Sequence, residues 1–254
     1  MSKTIFITGG ASGIGLGVAK YLGQQGHHII IADLHGEAAQ ETCLNLAKEG
    51  ISAQAVQLDV GNIAQIGQIN TVLNGQKVDV LINNAGIQHV SKLEDFPPEK
   101  WQLLINIMLV GPALLTQQFL PHMREQNYGR IINVGSVHSL VASPFKSAYV
   151  AAKHGLLGFA KTIALETGDC DVTINTLCPA YVKTPLVEKQ IAAQALEHGL
   201  SEEDVVHKIM LEPMPKKAFI DPSELAQTAE FLMSSAAKNI TAQTLVLDGG
   251  WTAR

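Results

Sequence analysis

Apolar residues along this chain come in short unbroken blocks that alternate with longer stretches of helical period. Thr4-Ile5-Phe6-Ile7-Thr8 is the first block, and His28-Ile29-Ile30-Ile31-Ala32, ended by Asp33, is the second. Blocks this short and rich in β-branched residues predict strands buried on both faces. The same pattern predicts strands over 52–58, 79–83, 129–135, 172–177 and 244–247. Helices are expected between them. One opens after Gly15, with Leu16, Ala19, Tyr21 and Leu22 among its apolar residues, and others lie near 36–49, 62–74, 99–120, 147–168 and 222–234. This alternation predicts one α/β domain over 1–254, a doubly wound parallel sheet covered by helices on both faces. Ligands in such sheets sit at the carboxyl ends of the strands, where strand order reverses.

One segment, about 184–219, carries no strand signal. Leu186 to Glu197 reads as a helix ended by Gly199, and Ser201 reads as the N-cap of a second helix, with Glu202, Glu203 and Asp204 on its first turn. Pro213 and Pro215 stop that helix. A helix pair in this position is expected to form a lid over a substrate.

The first strand runs directly into Gly9-Gly10-Ala11-Ser12-Gly13-Ile14-Gly15 and then into a helix. Strand, glycine-rich turn and helix N-terminus make a pyrophosphate site, because glycines let the backbone approach and the helix end presents free N–H groups. Asp33 ends the second strand, 18 positions after Gly15. A carboxylate there accepts hydrogen bonds from the adenosine ribose and repels a 2′-phosphate, which favours NAD over NADP.

Tyr149 and Lys153 stand four apart on a predicted helix and share one face. A cation beside a phenol favours the phenolate, so Lys153 is expected to pull the Tyr149 pKa below its ordinary value of about 10. That would make Tyr149 a general acid/base near neutral pH. Ser136 follows the strand over 129–135, where its hydroxyl could hold a substrate oxygen beside the phenol.

Composition narrows the class. The chain has 254 residues, a net charge of −5, 46% hydrophobic and 16% charged residues, which excludes disorder and argues against nucleic-acid binding. Met1-Ser2-Lys3 leads straight into the first strand, so no signal peptide is expected. No apolar run approaches the roughly 20 residues needed to cross a bilayer. A cytoplasmic protein without membrane contact is therefore expected. The cysteines, Cys43, Cys170 and Cys178, lack metal-ligand spacing and read as free thiols.

These residues together resemble the short-chain dehydrogenase/reductase family along the whole chain. The matching motifs are Thr8-Gly9 to Gly15, Asp59-Val60, Asn83-Asn84-Ala85-Gly86, Asn106, Ser136, Tyr149, Lys153 and Pro179 to Thr184. The resemblance implies a Rossmann-type fold and the catalytic set Asn106, Ser136, Tyr149 and Lys153, with Asn106 ordering a water beside Lys153. It implies NAD contacts from Gly9, Ser12, Gly13, Ile14, Gly15, Asp33, Asp59, Val60, Asn83, Ala85, Gly86, Tyr149, Lys153, Pro179, Val182 and Thr184, and no metal. Ala180 departs from the family's usual glycine.

Beside the triad stand Gln88, His138, Lys146 and Gln190. A cation, two amides and an imidazole with nothing acidic among them suit a small substrate with a free carboxylate. Ser136 to Ser139, Phe145 to Tyr149 and Thr184 to Ile191 look like the D-3-hydroxybutyrate dehydrogenases within the family, apart from Tyr181, where relatives often have Trp. There the residues matching Gln88, Ser136, His138, Lys146, Tyr149 and Gln190 surround the substrate. The implied reaction is reversible oxidation of (R)-3-hydroxybutyrate to acetoacetate with NAD. The alternatives are a reductase of a 3-oxoacyl thioester or a sugar acid, and a nucleotide-sensing protein without catalysis. The last strand and Asp248-Gly249-Gly250-Trp251 resemble the family's subunit contacts, which implies a homotetramer and gives Trp251 a cover from water.

Overall fold

The computed structural model describes residues 2–253. Seven parallel strands form one sheet: β1 (Thr4–Thr8), β2 (His28–Asp33), β3 (Ala53–Gln57), β4 (Val80–Asn83), β5 (Gly129–Val134), β6 (Val172–Pro179) and β7 (Thr244–Leu247), in the order β3-β2-β1-β4-β5-β6-β7. Every expected strand is present, with ends shifted by no more than two residues. The order reverses at β1, which pairs Ile5 with Ile29 on one side and with Val80 on the other.

Alternate residues of these strands face two cores, which is why the strand blocks are continuously apolar. On one face Ile5, Ile7, Ile29 and Ile31 pack with α1 (Gly13–Gln24) and α2 (Gly36–Lys48). On the other, Phe6, Ile30, Leu81 and Ile131 pack with the side chains of three helical stretches. The first is divided into α3 (Ile63–Gly67) and α4 (Ile69–Val72). The second joins α5 (Pro98–Ile105) to α6 (Gly111–Glu125), and the third is α7 (Ser147–Glu166). The segment expected to form a lid holds α8 (Pro185–His198) and α9 (Glu202–Val205), and α10 (Pro222–Met233) covers the first face.

Three helical expectations need correction. The helix expected over 62–74 breaks at Gln68, whose backbone leaves helical geometry at φ −97°, ψ 0°. The helix expected over 99–120 runs from Pro98 to Glu125 and widens into a π turn at Asn106–Val110. Pro112 has no N–H to give to the ladder, and a Cβ on Gly111 would stand 2.4 Å from the Val60 carbonyl, so glycine and proline set the path of the chain here. This same stretch, 28 residues long, is apolar enough by length and composition to cross a membrane, contrary to the expectation that no segment would be. Its residues Leu115, Phe119 and Met123 lie in the core against the sheet.

Both α8 and α9 end as their sequence signals direct. Gly199 closes α8 in the left-handed region at φ 63°, and Ser201 Oγ accepts from Asp204 N at 3.1 Å. Past Val205 the second helix widens into another π turn, Val206–Met210, and stops before Pro213. Val187, Ile191, Val205 and Met210 give this segment a small core of its own. Its two ends meet where Val182 bridges Ile220, with Ile220 N donating to Tyr181 O at 2.9 Å and Lys183 N to Ile220 O at 3.1 Å.

Candidate active site

The carboxyl ends of β1, β2, β4, β5 and β6 border a cleft of about 460 Å³, closed on one side by α8. Its first half is shaped by glycines. Gly9 adopts φ 61°, and a Cβ there would press on Ala85 Cα at 3.1 Å. A Cβ on Gly15 would lie 2.3 Å from the Gly9 carbonyl, so only glycine lets α1 begin this close beneath the turn. The cap residue of α1, Ser12, makes no side-chain cap hydrogen bond. The first-turn N–H groups are thus left for an anion at the helix end, as a dinucleotide pyrophosphate requires.

Asp33 is fixed for a ribose. Its Oδ2 accepts from Ala11 N at 3.2 Å and its Oδ1 from His35 N at 3.1 Å. Gly9, Ser12, Gly13, Ile14, Asp59, Val60, Ala85, Gly86, Pro179, Val182 and Thr184 line the same cleft. Two residues expected at the cofactor do not. Gly15 is packed under the turn. Asn83 turns into the sheet, where its Nδ2 donates to Asn133 Oδ1 at 2.9 Å. Its neighbour Asn84 takes the wall position instead and ties the two loops together, its Nδ2 donating to Thr8 O at 2.9 Å and Gly9 O at 3.0 Å. Thr8 Oγ1 completes the tie by accepting from Asn84 N and Ala85 N, both at 3.0 Å. The doubled asparagine was the signal; which of the pair faces the cleft depends on the end of β4.

The second half holds the chemistry. Ser136 follows β5 in a reciprocal cap: its Oγ accepts from His138 N at 3.2 Å, and its own N donates to Ser139 Oγ at 3.3 Å. The Ser136 hydroxyl stands close enough to the Tyr149 phenol to lower its pKa. Lys153 Nζ lies 5.7 Å from the Tyr149 ring centroid and donates to Val134 O at 2.6 Å. Burial brings the Lys153 pKa down to about 8. The expected fall in the Tyr149 pKa is not seen: burial pushes it up, and the Ser136 hydroxyl offsets only part of the rise. Removing the phenolate from water costs more here than the Ser136 hydroxyl returns. Asn106, expected to order a water beside Lys153, is not on the cleft wall. It opens the π turn, and its Oδ1 accepts from Gln102 Nε2 at 2.8 Å.

Gln88, Ser136, His138, Lys146, Tyr149 and Gln190 all line this half. Burial lowers the Lys146 pKa, and the side chain has no ion-pair partner among the described residues. No group of acidic, histidine or cysteine side chains among the described residues could hold a metal. Trp251, expected at a subunit contact, lies in the cleft: it stacks on Tyr181 and meets His138 edge-on, both at 5.9 Å between centroids. It is therefore partly shielded from water within its own chain.

His138 is 4% exposed and neither ring nitrogen has a protein partner. Burial, with the Lys146 charge second, pushes its pKa down to about 4. The unfolded chain, with a histidine near 6.5, takes up the proton first. Stability from this group is therefore complete above about pH 6.5 and is lost as pH falls toward 4, by on the order of 2–3 kcal/mol. Urea unfolding at pH 7.5 and 4.5 should show a steeper loss for the wild type than for His138→Gln; parallel profiles would refute this.

The model of the short chain dehydrogenase family matches residues 3–195. The chain is 44% identical over 254 residues to the D-beta-hydroxybutyrate dehydrogenase of Cupriavidus necator, covering 99% of this chain and 98% of that protein. It is 42% identical over 261 residues to the protein of the same name from Rhizobium meliloti, with all of both chains covered. A crystal structure of an actinorhodin polyketide ketoreductase with NADPH superimposes with a TM-score of 0.93 at 30% identity, covering 100% of this chain and 98% of that one. The chain belongs to the short-chain dehydrogenase/reductase family, oxidoreductases that bind a nicotinamide dinucleotide and act at a hydroxyl group.

Proposed function

We propose that the protein oxidises (R)-3-hydroxybutyrate reversibly to acetoacetate with NAD, as one catalytic domain whose 184–219 segment closes over the substrate. The observation that carries this reading is Lys146, a largely buried cation without an ion-pair partner among the described residues, on the same wall as Gln88, His138 and Gln190. A carboxylate would satisfy all of them. The high identity to two proteins named D-beta-hydroxybutyrate dehydrogenase supports it.

In this reading the oxidised nicotinamide, when bound, supplies the hydride acceptor. Ser136 holds the C3 oxygen, and Tyr149 takes its proton. Lys153 favours that transfer by holding positive charge beneath the phenol, and its hydrogen bond to Val134 O fixes the distance. Gly9, Ser12, Gly13 and Ile14 receive the pyrophosphate, and Asp33 receives the adenosine ribose. The deciding assay is dinucleotide reduction with a panel of 3-hydroxy acids and their thioesters. Turnover confined to thioesters or sugar acids would overturn the reading.

NAD should bind more tightly than NADP by about 10²-fold, because the 2′-phosphate would meet the fixed Asp33 carboxylate. Asp33→Ala should narrow the gap by weakening NAD and relieving the repulsion. Calorimetric titration with both dinucleotides checks this, and equal affinities for the wild type would refute it.

We further propose a cytoplasmic homotetramer, on the resemblance of 245–251 to the family's contact region. A light-scattering mass near 27.2 kDa, that of one chain, would rule it out.

A further inference from the structure

Part of the cleft wall is aromatic. Tyr181 and Trp251 stack with their planes 28° apart, and Trp251 stands edge-on to His138 at 88°. The C-terminal turn builds this wall. The Asp248 carboxylate accepts from Gly250 N at 2.8 Å, Thr252 N at 2.7 Å and Thr252 Oγ1 at 2.7 Å, and Gly249 O accepts from Lys216 N at 3.1 Å. Trp251 and the Tyr181 ring would by themselves suit a hydrocarbon group. Tyr181 lines the cleft, and its hydroxyl makes no hydrogen bond among the described residues. Burial raises its pKa, so it stays a neutral O–H, able to donate and to accept. His138 meets Tyr149 at 6.1 Å and Trp251 at 5.9 Å between centroids, and Trp251 stacks on Tyr181, so the two phenols share one region of the cleft.

The other polar groups of this region already have work in the proposed reaction. Lys146, Gln88, His138 and Gln190 face the carboxylate, and Ser136 and Tyr149 face the C3 oxygen. Two groups are left over, the Trp251 indole N–H, which can only donate, and the Tyr181 hydroxyl, which can also accept from a substrate O–H. We propose that Tyr181 is a specificity-determining residue that recognises a hydroxyl on the carbon beyond the reacting one, so that the substrate class extends to 3,4-dihydroxy acids. This rests on the 3-hydroxy acid reading of the site. The reaction at C3 is unchanged. The C3–H electron pair leaves as hydride to the oxidised nicotinamide, the C3–OH proton goes to Tyr149, and the C3=O bond forms. (S)-3,4-dihydroxybutyrate thus gives 4-hydroxy-3-oxobutyrate; its C3 has the same spatial arrangement as in (R)-3-hydroxybutyrate, the descriptor changing only because the C4 hydroxyl alters the priorities. Tyr181 binds and transfers nothing.

The test compares the two acids with wild type and Tyr181→Phe, a change that keeps the ring on Trp251. The wild type should oxidise both acids. The ratio of kcat/KM, dihydroxy acid over monohydroxy acid, should fall about tenfold in the variant. A second measurement avoids turnover: calorimetry with 4-hydroxybutyrate and butyrate, neither of which carries a C3 hydroxyl, in the presence of reduced dinucleotide. The wild type should prefer 4-hydroxybutyrate, and Tyr181→Phe should abolish the preference. An unchanged ratio in both measurements overturns the role of Tyr181 while leaving the carboxylate site intact. Failure of the wild type to oxidise either acid overturns both.

Discussion

Tyr149→Phe should abolish turnover while leaving dinucleotide affinity nearly intact. The ring keeps its place against the small core of Phe96, Leu104, Met108, Ala148 and Ala152, so the packing survives. Only the hydroxyl goes, and with it the proposed acceptor for the substrate proton. Loss of a general acid/base lowers the rate by about 10²–10⁴-fold. The pH profile separates this from a general disturbance. Burial holds the phenol protonated at neutral pH, so alcohol oxidation by the wild type should climb with pH as the phenol ionises. The residual rate of the variant should lack that rise. Turnover within a few-fold of wild type in the purified variant would sink the assignment of Tyr149 as the proton acceptor.

The placement of Tyr149, Lys153 and Ser136 was legible because each depends on local pattern. A four-residue spacing on α7 and a strand end at Val134 are features a sequence carries openly. The same holds for Asp33, where an apolar block stops on a carboxylate. What could not be read depends on contacts between distant segments. The direction of the Tyr149 pKa is set by how much protein surrounds the phenol, which periodicity does not report. The π turn that opens at Asn106 was not legible either, because an apolar pattern does not register one extra residue in a turn. Trp251 reached the cleft because Asp248 curls the C-terminal end back through three hydrogen bonds, a long-range placement with no local signature beyond the glycines at 249 and 250.

The two halves of the cleft also differ in what fixes them. The half expected to hold the dinucleotide is backbone-built, from Gly9, the first turn of α1 and the Thr8–Asn84 tie. The half expected to hold the substrate is built from side chains on four separate segments: the loop after β4, the turn after β5, the start of α7 and α8. Ser91 N donates to Phe145 O at 2.9 Å, so the loop bearing Gln88 is tied to the residue preceding Lys146. Phe145 holds φ 66°, a left-handed conformation unusual for a bulky side chain, just where the chain turns to present that lysine. Strain of this kind next to a cation without an ion-pair partner among the described residues is the pattern expected of a position kept for binding rather than for stability.

Lys146→Ala should accordingly raise KM strongly for 3-hydroxybutyrate. The side chain lies on the cleft wall, and burial already lowers its pKa, so a carboxylate brought beside it relieves the cost of holding the charge there. Loss of such a charge-assisted contact is worth roughly 1.5–3 kcal/mol, or about 10–150-fold in kcat/KM. The methyl ester of the substrate should already be poor with the wild type, because it leaves the lysine and both glutamines facing an uncharged group. The ester should also be much less sensitive to the lysine substitution than the free acid is. That difference in sensitivity, read as a double comparison of two substrates and two proteins, isolates the charge pair from any change in the shape of the cleft. If the ester or a thioester turned over as well as the free acid, Lys146 would not be a carboxylate ligand. The reading would then retreat to a short-chain dehydrogenase whose substrate is held by something other than its charge.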